Sequence, residues 1–525
     1  MSLSRRELLK FLGASSFVEG ANSFAQSTLL ESPQRKFIPI KAQSNDNLVL
    51  AKAFKYRQIM SRGQSIGNGE SFGDNCDYTA FLPFKDDPKQ ALLWVNHEMV
   101  DLSLIRGAWP NSKIKRARKE VDEEMYEVGA SVLKLELDKK GQWQHQKKSR
   151  YNRRIHASTP IKIVADRPLS GKSKMAYGTM GNCAGGITPW NTVLTCEEIY
   201  RGYMGDLKYL SPGKDKWEIN KTYLGWPLVY PRPPQHYGWV VEVNPWNGKA
   251  KKLTAMGRFD HECATTVRAK DGRVVVYTGD DGNDRCLYKF ISDSKDSLDK
   301  GTLFVANLEQ GRWLPIDHKR NKKLQKHFLD QTETLIHCRM AAELVGGSPL
   351  DRPEDIEIDP KSGDVFISLT NNKKKANYYG SLLRINEKNN DYLSLEFEHS
   401  NFVVGGEKSG LACPDNLCFD KNGDLWVTSD ISGSSLNKGP YKNFGNNGLY
   451  FIPLRGSEKG KVFQVASAPM EAEFTGLSFT PNGKTIFVSV QHPGSESKSW
   501  KSLHSHWPDG GSSIPRSTVV AIEKI

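Results

Sequence analysis

No apolar run in this 525-residue chain is long enough to span a bilayer, and cysteine is scarce, with eight residues at 76, 183, 196, 263, 286, 338, 413 and 418. The first absence leaves no membrane-crossing helix to expect. The second excludes a small scaffold built on disulfides, although Cys413 and Cys418 are close enough in sequence to be pairing candidates. Catalytic signatures are missing too. There is no paired-histidine metalloprotease motif, no Gly-x-Ser-x-Gly elbow, and no Lys-Ser/Thr after Gly185-Gly186 to make a P-loop. The twelve histidines are scattered, too thin a supply for a di-zinc hydrolase. His97, His261 and His492 adjoin candidate site residues, where each serves equally well as a ligand-orienting group or an ordinary hydrogen-bonded side chain.

Charge is unbalanced toward basic. The formal net charge is +13 and the pI about 9.1, with clusters over 113–119, 319–326 and 373–375. That balance favours anionic partners at long range. Elements that read or stack nucleic-acid bases are absent, so no specific nucleic acid is expected. At the start, Ser4-Arg5-Arg6 precedes a mildly apolar stretch over 11–24 and then Ser23-Phe24-Ala25. This resembles a twin-arginine export signal over 1–25, implying the twin-arginine machinery as a partner and a periplasmic or secreted protein. Residues 26–525 then form one domain, because no linker or low-complexity tract divides them, and a monomer is the default.

Short Val-, Ile-, Tyr- and Trp-rich runs recur between Gly, Asn, Asp and Pro. Four segments share a strand–turn–strand pattern, turning at Asp271-Gly272, Ser362-Gly363, Asn422-Gly423 and Asn482-Gly483; a fifth turns at Asn247-Gly248. Such dipeptides supply positive φ between alternating strands. From residue 356 onward the pattern repeats about every sixty residues, longer than the ordinary blade period. The reading is all-β, a β-propeller with room for about six four-stranded blades. Insertions are expected as a basic surface helix over 112–124, a helical region over 303–344 and an extended packed loop over 209–235. In a propeller, acidic residues beside equivalent strands converge at one end of the channel.

The densest chemistry lies in Thr179-Met180-Gly181-Asn182-Cys183-Ala184-Gly185-Gly186, read as a glycine-rich turn, followed by Thr195-Cys196-Glu197-Glu198. A soft thiol beside hard carboxylates suits a transition metal next to oxygen-loving cations. Further carboxylates stand at Glu98, Glu262, Asp280, Asp281, Glu354 and Asp355, each beside a strand-like run. Neighbours on a strand face opposite ways, so one of Glu197 and Glu198 is expected at a metal while the other orders its surroundings. Asp281 is favoured over Asp280 on the same ground, and Asp355 suits either a metal or the turn fixed by Pro353.

In order along the chain, Asn96-His97-Glu98, residues 181–198, Gly257-Arg258-Phe259-Asp260-His261-Glu262, Tyr277-Thr278-Gly279-Asp280-Asp281, Arg352-Pro353-Glu354-Asp355 and Gln491-His492-Pro493-Gly494 resemble the PhoX-type alkaline phosphatases. The resemblance implies a six-bladed propeller, phosphomonoesterase activity, and two irons with three calciums. Cys183 matches the family's iron-binding cysteine, Glu262 a carboxylate ligand, Arg352 the arginine that meets phosphate, and Glu354 its neighbouring ligand. Glu197, Glu198 and Asp281 resemble further cluster residues. Asn191 replaces the usual glycine after Pro-Trp, and asparagine tolerates positive φ there.

The expected reaction is hydrolysis of phosphate esters, with Arg352, Glu354 and Cys183 at the reacting centre. The metal set is Cys183, Glu98, Glu197, Glu198, Glu262, Asp281, Glu354 and Asp355, for Fe3+ and several Ca2+. Three alternatives stand beside it: a calcium-dependent propeller esterase or lactonase, a non-catalytic binding propeller tied together by calcium, and, from the charge, a polyphosphate- or nucleic-acid-binding protein.

Overall fold

The computed structural model describes residues 35–525; the export-signal reading of 1–25 falls outside them. Six sheets form the blades of a propeller, antiparallel throughout except where Pro160–Val164 runs parallel to Ala250–Leu253 in blade 2. Their inner strands, blade 1 to blade 6, are Cys76–Pro83, Asn182–Ile187, Thr265–Arg268, Pro353–Ile358, Pro414–Phe419 and Glu473–Phe479. Each inner strand touches the next, and the sixth touches the first, which closes the ring around a central channel.

The second strands explain the apolar runs of the sequence. Val193–Glu197, Val274–Gly279, Val365–Leu369, Leu425–Ser429 and Thr485–Gln491 are buried along their whole length. Each is covered on both faces by neighbouring blades, so its sequence does not alternate as a half-exposed strand would. Apolar layers fill every gap between blades. Trp94 packs with Val241, Leu194 with Val276, Tyr277 with Ile367, and Phe366 with Val427. Trp426 meets Phe474 and Val488, and Phe81 stacks on Phe487 at 5.5 Å.

The turns come where Asn-Gly and Asp-Gly placed them. Gly423 and Gly483 have φ of 76° and 67°, the left-handed conformation that glycine takes without a Cβ clash. The insertions differ in detail from expectation. The basic stretch becomes the helix Arg118–Glu127. Region 303–344 starts as strands Gly301–Asn307 and Arg312–Pro315, which pair into blade 3, and only then turns helical at Lys322–His327, Gln331–Ile336 and Cys338–Val345. Their mixed polarity is that of outer strands with one wet edge. Segment 209–235 is not all loop, since Asp206–Ser211 and Lys214–Glu218 form a hairpin.

Blade 6 is completed from both ends of the described chain. Phe54–Ser61 pairs antiparallel with Thr518–Lys524, and Val49–Leu50 adds to blade 5 against Phe463–Ser467. This pairing replaces loop closure by strand hydrogen bonds and protects edges that an open sheet would expose. Among the described residues no helix is long and apolar enough to cross a membrane. Deleting residues 518–525 removes the strand joining Phe54–Ser61 to Thr485–Gln491. The truncated protein is expected to lose its cooperative thermal transition, read by circular dichroism; an unchanged melting temperature would show that the ring does not depend on this seam.

Candidate metal centre

All six inner strands begin at the same mouth of the channel, and each brings one carboxylate or thiol there. These are Asp77, Cys183, Glu262, Glu354, Asp415 and Glu473. A repeated backbone device aims them. Two residues earlier in five blades stands a left-handed residue: Asn75 (φ 39°), Gly181 (63°), Arg352 (54°), Cys413 (50°) and Glu471 (60°). For the arginine, cysteine and glutamate this conformation costs about 1–3 kcal/mol, which the surrounding structure has to offset. In blades 1, 2, 4 and 5 the pairing with the second strand then slips across the aimed residue, between Cys76 and Thr79, Asn182 and Gly185, Pro353 and Ile356, and Pro414 and Leu417, whereas in blade 6 Glu473 stays in register with Gln491 and the slip comes later, between Thr475 and Ser478. A bulge of this kind re-aims a side chain out of the regular alternation. A second tier comes from the far ends of the second strands, where Glu98, Glu198, Asp281, Asp430 and His492 follow the last paired residues.

The glycines near Cys183 serve close approach. Asn182–Ile187 is a strand, and a Cβ on Gly185 or Gly186 would lie 2.3 Å from Leu194 O or 2.0 Å from Ala264 O. The turn expected there is therefore a tightly packed inner strand. Asn96 fixes it, donating through Nδ2 to Cys183 O at 2.5 Å while its Oδ1 accepts from Trp94 Nε1 at 2.7 Å and Thr195 Oγ1 at 2.8 Å.

Cys183 Sγ lies 3.0 Å from Glu262 Oε1 and 3.4 Å from Asp77 Oδ2. One thiol hydrogen can serve only one of these carboxylates. Three overlapping groups have ligand atoms within 4.8 Å of one another: Asp77 with Glu98 and Cys183, Cys183 with Glu198 and Glu262, and Glu262 with Glu354 and Asp415. Cys183 and Glu262 are shared, so the groups form one continuous chain. Asp77 Oδ1 is buried without a hydrogen-bond partner among the described residues. Such an orphaned oxygen beside a thiol and crowded acids fits a metal cluster.

Electrostatics agree. Burial, then Glu98 and Asp281, pushes the Glu198 carboxyl well above its ordinary range. Burial, then Glu354 and Asp415, does the same to Glu262; burial, then Glu354 and Glu473, does it to Asp415. Burial also raises the Cys183 thiol, with Asp77 and Glu262 adding to it. Bound cations would reverse these shifts, deprotonating thiol and carboxyls together. The cation that does reach this ring is Arg352. Its Nε and Nη2 donate to Asp281 at 2.9 and 3.0 Å, Nη2 is 2.6 Å from Glu354, and Nη1 is 3.6 Å from Asp430.

The structure thus brings together Cys183, Glu98, Glu198, Glu262 and Glu354, with Arg352 over them. It does not place Glu197, Asp281 or Asp355 in these groups. Glu197 pairs with Lys252 at 2.5 Å, both wholly buried, and accepts from the Gly238 and Trp239 amides. Asp281 is taken up by Arg352, while its neighbour Asp280 binds Arg339. Asp355 ties blade 4 to blade 5 by accepting from Leu417 N at 2.9 Å and turns back on Ile356 N at 2.8 Å.

Sequence reasoning passed over Asp77 and Asp415. Each sits one residue into an inner strand, as Cys183 and Glu354 sit at theirs, so aligning the repeats on strand starts instead of turns would have found them. His97 and His261 are buried and hydrogen-bonded to structural groups, Asp74 O with Ser131 Oγ, and Gly257 O with Thr278 Oγ1. His492 reaches Glu473. All eight cysteines are free, Cys413 and Cys418 included.

The family profile described as alkaline phosphatase PhoX matches residues 35–494. Among solved structures, Pseudomonas fluorescens PhoX in complex with vanadate, a transition-state analogue, is 31% identical with a TM-score of 0.82, covering 93% of this chain and 98% of that one. A gluconolactonase from Xanthomonas campestris is 9% identical with a TM-score of 0.37, over 93% of this chain and 100% of that one. No curated relative matches the chain.

Two outcomes follow from this geometry. Lys252→Met strands Glu197 without its partner and is expected to cost about 3–5 kcal/mol in urea denaturation. A loss under about 1 kcal/mol, accompanied by loss of metal, would instead make Glu197 a ligand. The second concerns pH. Carboxyls whose pKa is raised on folding give stability that is complete below their ordinary values and is lost as pH rises through the folded ones. Asp260 and Asp355, ordinarily 3.8, are pushed up to about 7. Chelated protein is therefore expected to melt at a lower temperature at pH 8 than at pH 5. Equal or greater stability at pH 8 would show that the burial that raises these two carboxyls does not govern the stability of the chelated protein.

Proposed function

The chain belongs to the PhoX alkaline phosphatase family and is a phosphatase, and we propose that it hydrolyses phosphate monoesters to alcohol and inorganic phosphate at the channel mouth. The observation that carries this reading is Arg352 held across Asp281 and Glu354, directly above acids that converge on one thiol. A planar guanidinium braces two oxygens of a phosphate at once. Its Nη1, at 3.6 Å from Asp430, is only loosely engaged and is the edge available to a substrate oxygen.

The residues fit iron together with calcium. Cys183 with Asp77, Glu98, Glu198 and Glu262 offers the mixed sulfur and oxygen donors that suit Fe3+. Glu262, Glu354 and Asp415 offer oxygen alone, which suits Ca2+. We take two irons and three calciums as the expected set. When bound, these ions supply the positive charge that neutralises phosphate oxygens in the transition state.

The chain's own contribution is positioning. Arg352 orients the phosphate, Asp281 and Glu354 hold the guanidinium plane, and Asn96 fixes the strand that carries Cys183. Burial of the ring excludes bulk water and strengthens each charge–charge contact. Vanadate, the transition-state analogue bound by the Pseudomonas fluorescens protein, is the natural probe of this pocket. The Ser4-Arg5-Arg6 leader supports export by the twin-arginine route, delivering residues 26–525 as one folded, monomeric domain to the periplasm or medium.

The test is metal analysis of purified protein combined with a phosphate-ester assay. Wild type is expected to contain iron and calcium and to be inhibited by vanadate. Cys183→Ser is expected to lose iron and to lose activity beyond the roughly 10–100-fold typical of outer-shell changes. Arg352→Ala is expected to lower kcat/KM by about 10²–10³-fold with metal content retained. Full activity of Cys183→Ser, or of thoroughly chelated wild type, would sink the metal-centre reading.

A further inference from the structure

Three excursions leave the propeller at its mouth, one after each of the second strands Gln90–His97, Val193–Glu197 and Thr485–Gln491. They meet at one loop, residues 107–116 of the blade 1 excursion. Trp500, from blade 6, donates through Nε1 to Leu104 O at 2.7 Å, and its ring covers Gly107, where a Cβ would lie 3.2 Å from it. From blade 2, Gly225 comes so near Ser112 that a Cβ would lie 2.3 Å from the Ser112 carbonyl oxygen. Leu224 O accepts from Arg116 Nη2 at 2.6 Å, and the adjacent Tyr223 lies against Gly202.

What this rim shows to solvent is apolar and aromatic. Trp109 and Trp500 are the exposed tryptophans among the described residues, at 54% and 50%. Ile114 and Tyr223, on the same loop and against it, are 60% and 63% exposed. Exposed apolar side chains scattered singly mean nothing, but a group gathered on one rim marks a contact surface. The charge around it has one sign. Residues 107–119 hold Lys113, Lys115, Arg116, Arg118 and Lys119 and no acid, and Lys498 and Lys501 flank Trp500. Arg116 is taken by Glu124, and the other six cations are exposed. The acids of the helix that follows the loop are already engaged, Glu120, Glu123 and Glu124 by Arg106 and Asp122 by the Tyr230 hydroxyl.

We propose that this rim is a docking surface for an anionic phospholipid bilayer. Tryptophan and tyrosine favour the boundary between headgroups and water, where one part of the ring is apolar and the other wet. Ile114 sits in a turn closed by its own N–H donating to Asn111 O at 3.1 Å, with Lys113 and Lys115 on either side. It enters the acyl boundary while the two ammonium groups stay with the phosphates. The exposed cations draw the protein to negative headgroups over about a Debye length. An aliphatic side chain between two lysines suits acyl chains and gives a base no ring to stack on, so a bilayer fits better than a nucleic acid. Because all three excursions leave the sheets at the mouth, docking turns the opening of the channel toward the membrane surface. The contact uses none of the residues assigned to the metal centre and stands apart from the phosphomonoesterase reading.

The experiment is co-sedimentation of the metal-loaded protein with two kinds of vesicle, phosphatidylcholine alone and an equal mixture of phosphatidylcholine and phosphatidylglycerol. Expected at low salt is binding to the mixed vesicles at least about tenfold tighter than to phosphatidylcholine, lost in about 1 M salt. Two double variants locate the contact, Trp109→Ser with Ile114→Ser and Lys113→Gln with Lys115→Gln. Each is expected to weaken binding by about tenfold or more. Hydrolysis of a soluble phosphate ester without vesicles is expected to stay at the wild-type level in both. The lysine variant leaves every apolar side chain in place, so it carries the test if the other fails to fold. No binding, or equal binding to the two vesicles, overturns the proposal. Wild-type binding by both double variants also overturns it, by placing the contact elsewhere, as headgroup phosphates held at the metal centre would. A single-stranded oligonucleotide that binds more tightly than the mixed vesicles, and is lost in the same variants, overturns it by assigning the rim to nucleic acid.

Discussion

Mutual repulsion among buried carboxylates is the constraint from which the rest of this structure follows. Asp77, Glu98, Glu198, Glu262, Glu354 and Asp415 are held within a few ångströms of their neighbours, out of water, with Arg352 meeting only one edge of the ring. No chain keeps such a cluster charged without cations, and none keeps it assembled without a stiff frame. The propeller is that frame. Inner strands that touch in a closed circle cannot spread apart to relieve the charge, and the apolar layers between blades oppose any splaying.

The site is written into the backbone as much as into the side chains. A left-handed residue recurs at the head of five of the six inner strands, and in four of them a slipped pairing follows at once and turns one side chain to the channel. In blade 4 the left-handed position is itself put to use, because Arg352 occupies it. In blade 6 the same position holds Glu471, whose carbonyl fixes the His492 ring. One repeated device thus yields a ring of acids and one thiol on one side and polar partners on the other. Symmetry supplies proximity, and substitutions within the symmetry supply chemistry.

Much of this was legible in the sequence where the signal was local. Asn422-Gly423 and Asn482-Gly483 announce their hairpins because positive φ is a property of the residues themselves. Cys183 stands out because a thiol among carboxylates is rare. What stayed hidden depends on which face a residue takes after a bulge. Glu197 and Glu198 look equivalent on paper, yet one meets Lys252 and the other the thiol. Asp355 follows Glu354 but turns to the Leu417 amide in the next blade. Asp77 and Asp415 carry no motif at all; only their register marks them. The strands Gly301–Asn307 and Arg312–Pro315 escaped notice because an outer strand, wet on one edge, mixes polarity as a helix does.

The most direct test of the account is anomalous X-ray diffraction from crystals of the metal-loaded protein, measured on both sides of the iron edge. The account predicts iron within bonding distance of Cys183 Sγ and Glu262, and non-iron cation density among Glu262, Glu354 and Asp415. Well-ordered density with Cys183 Sγ bonded to nothing, and no cation between it and Glu262, would contradict it.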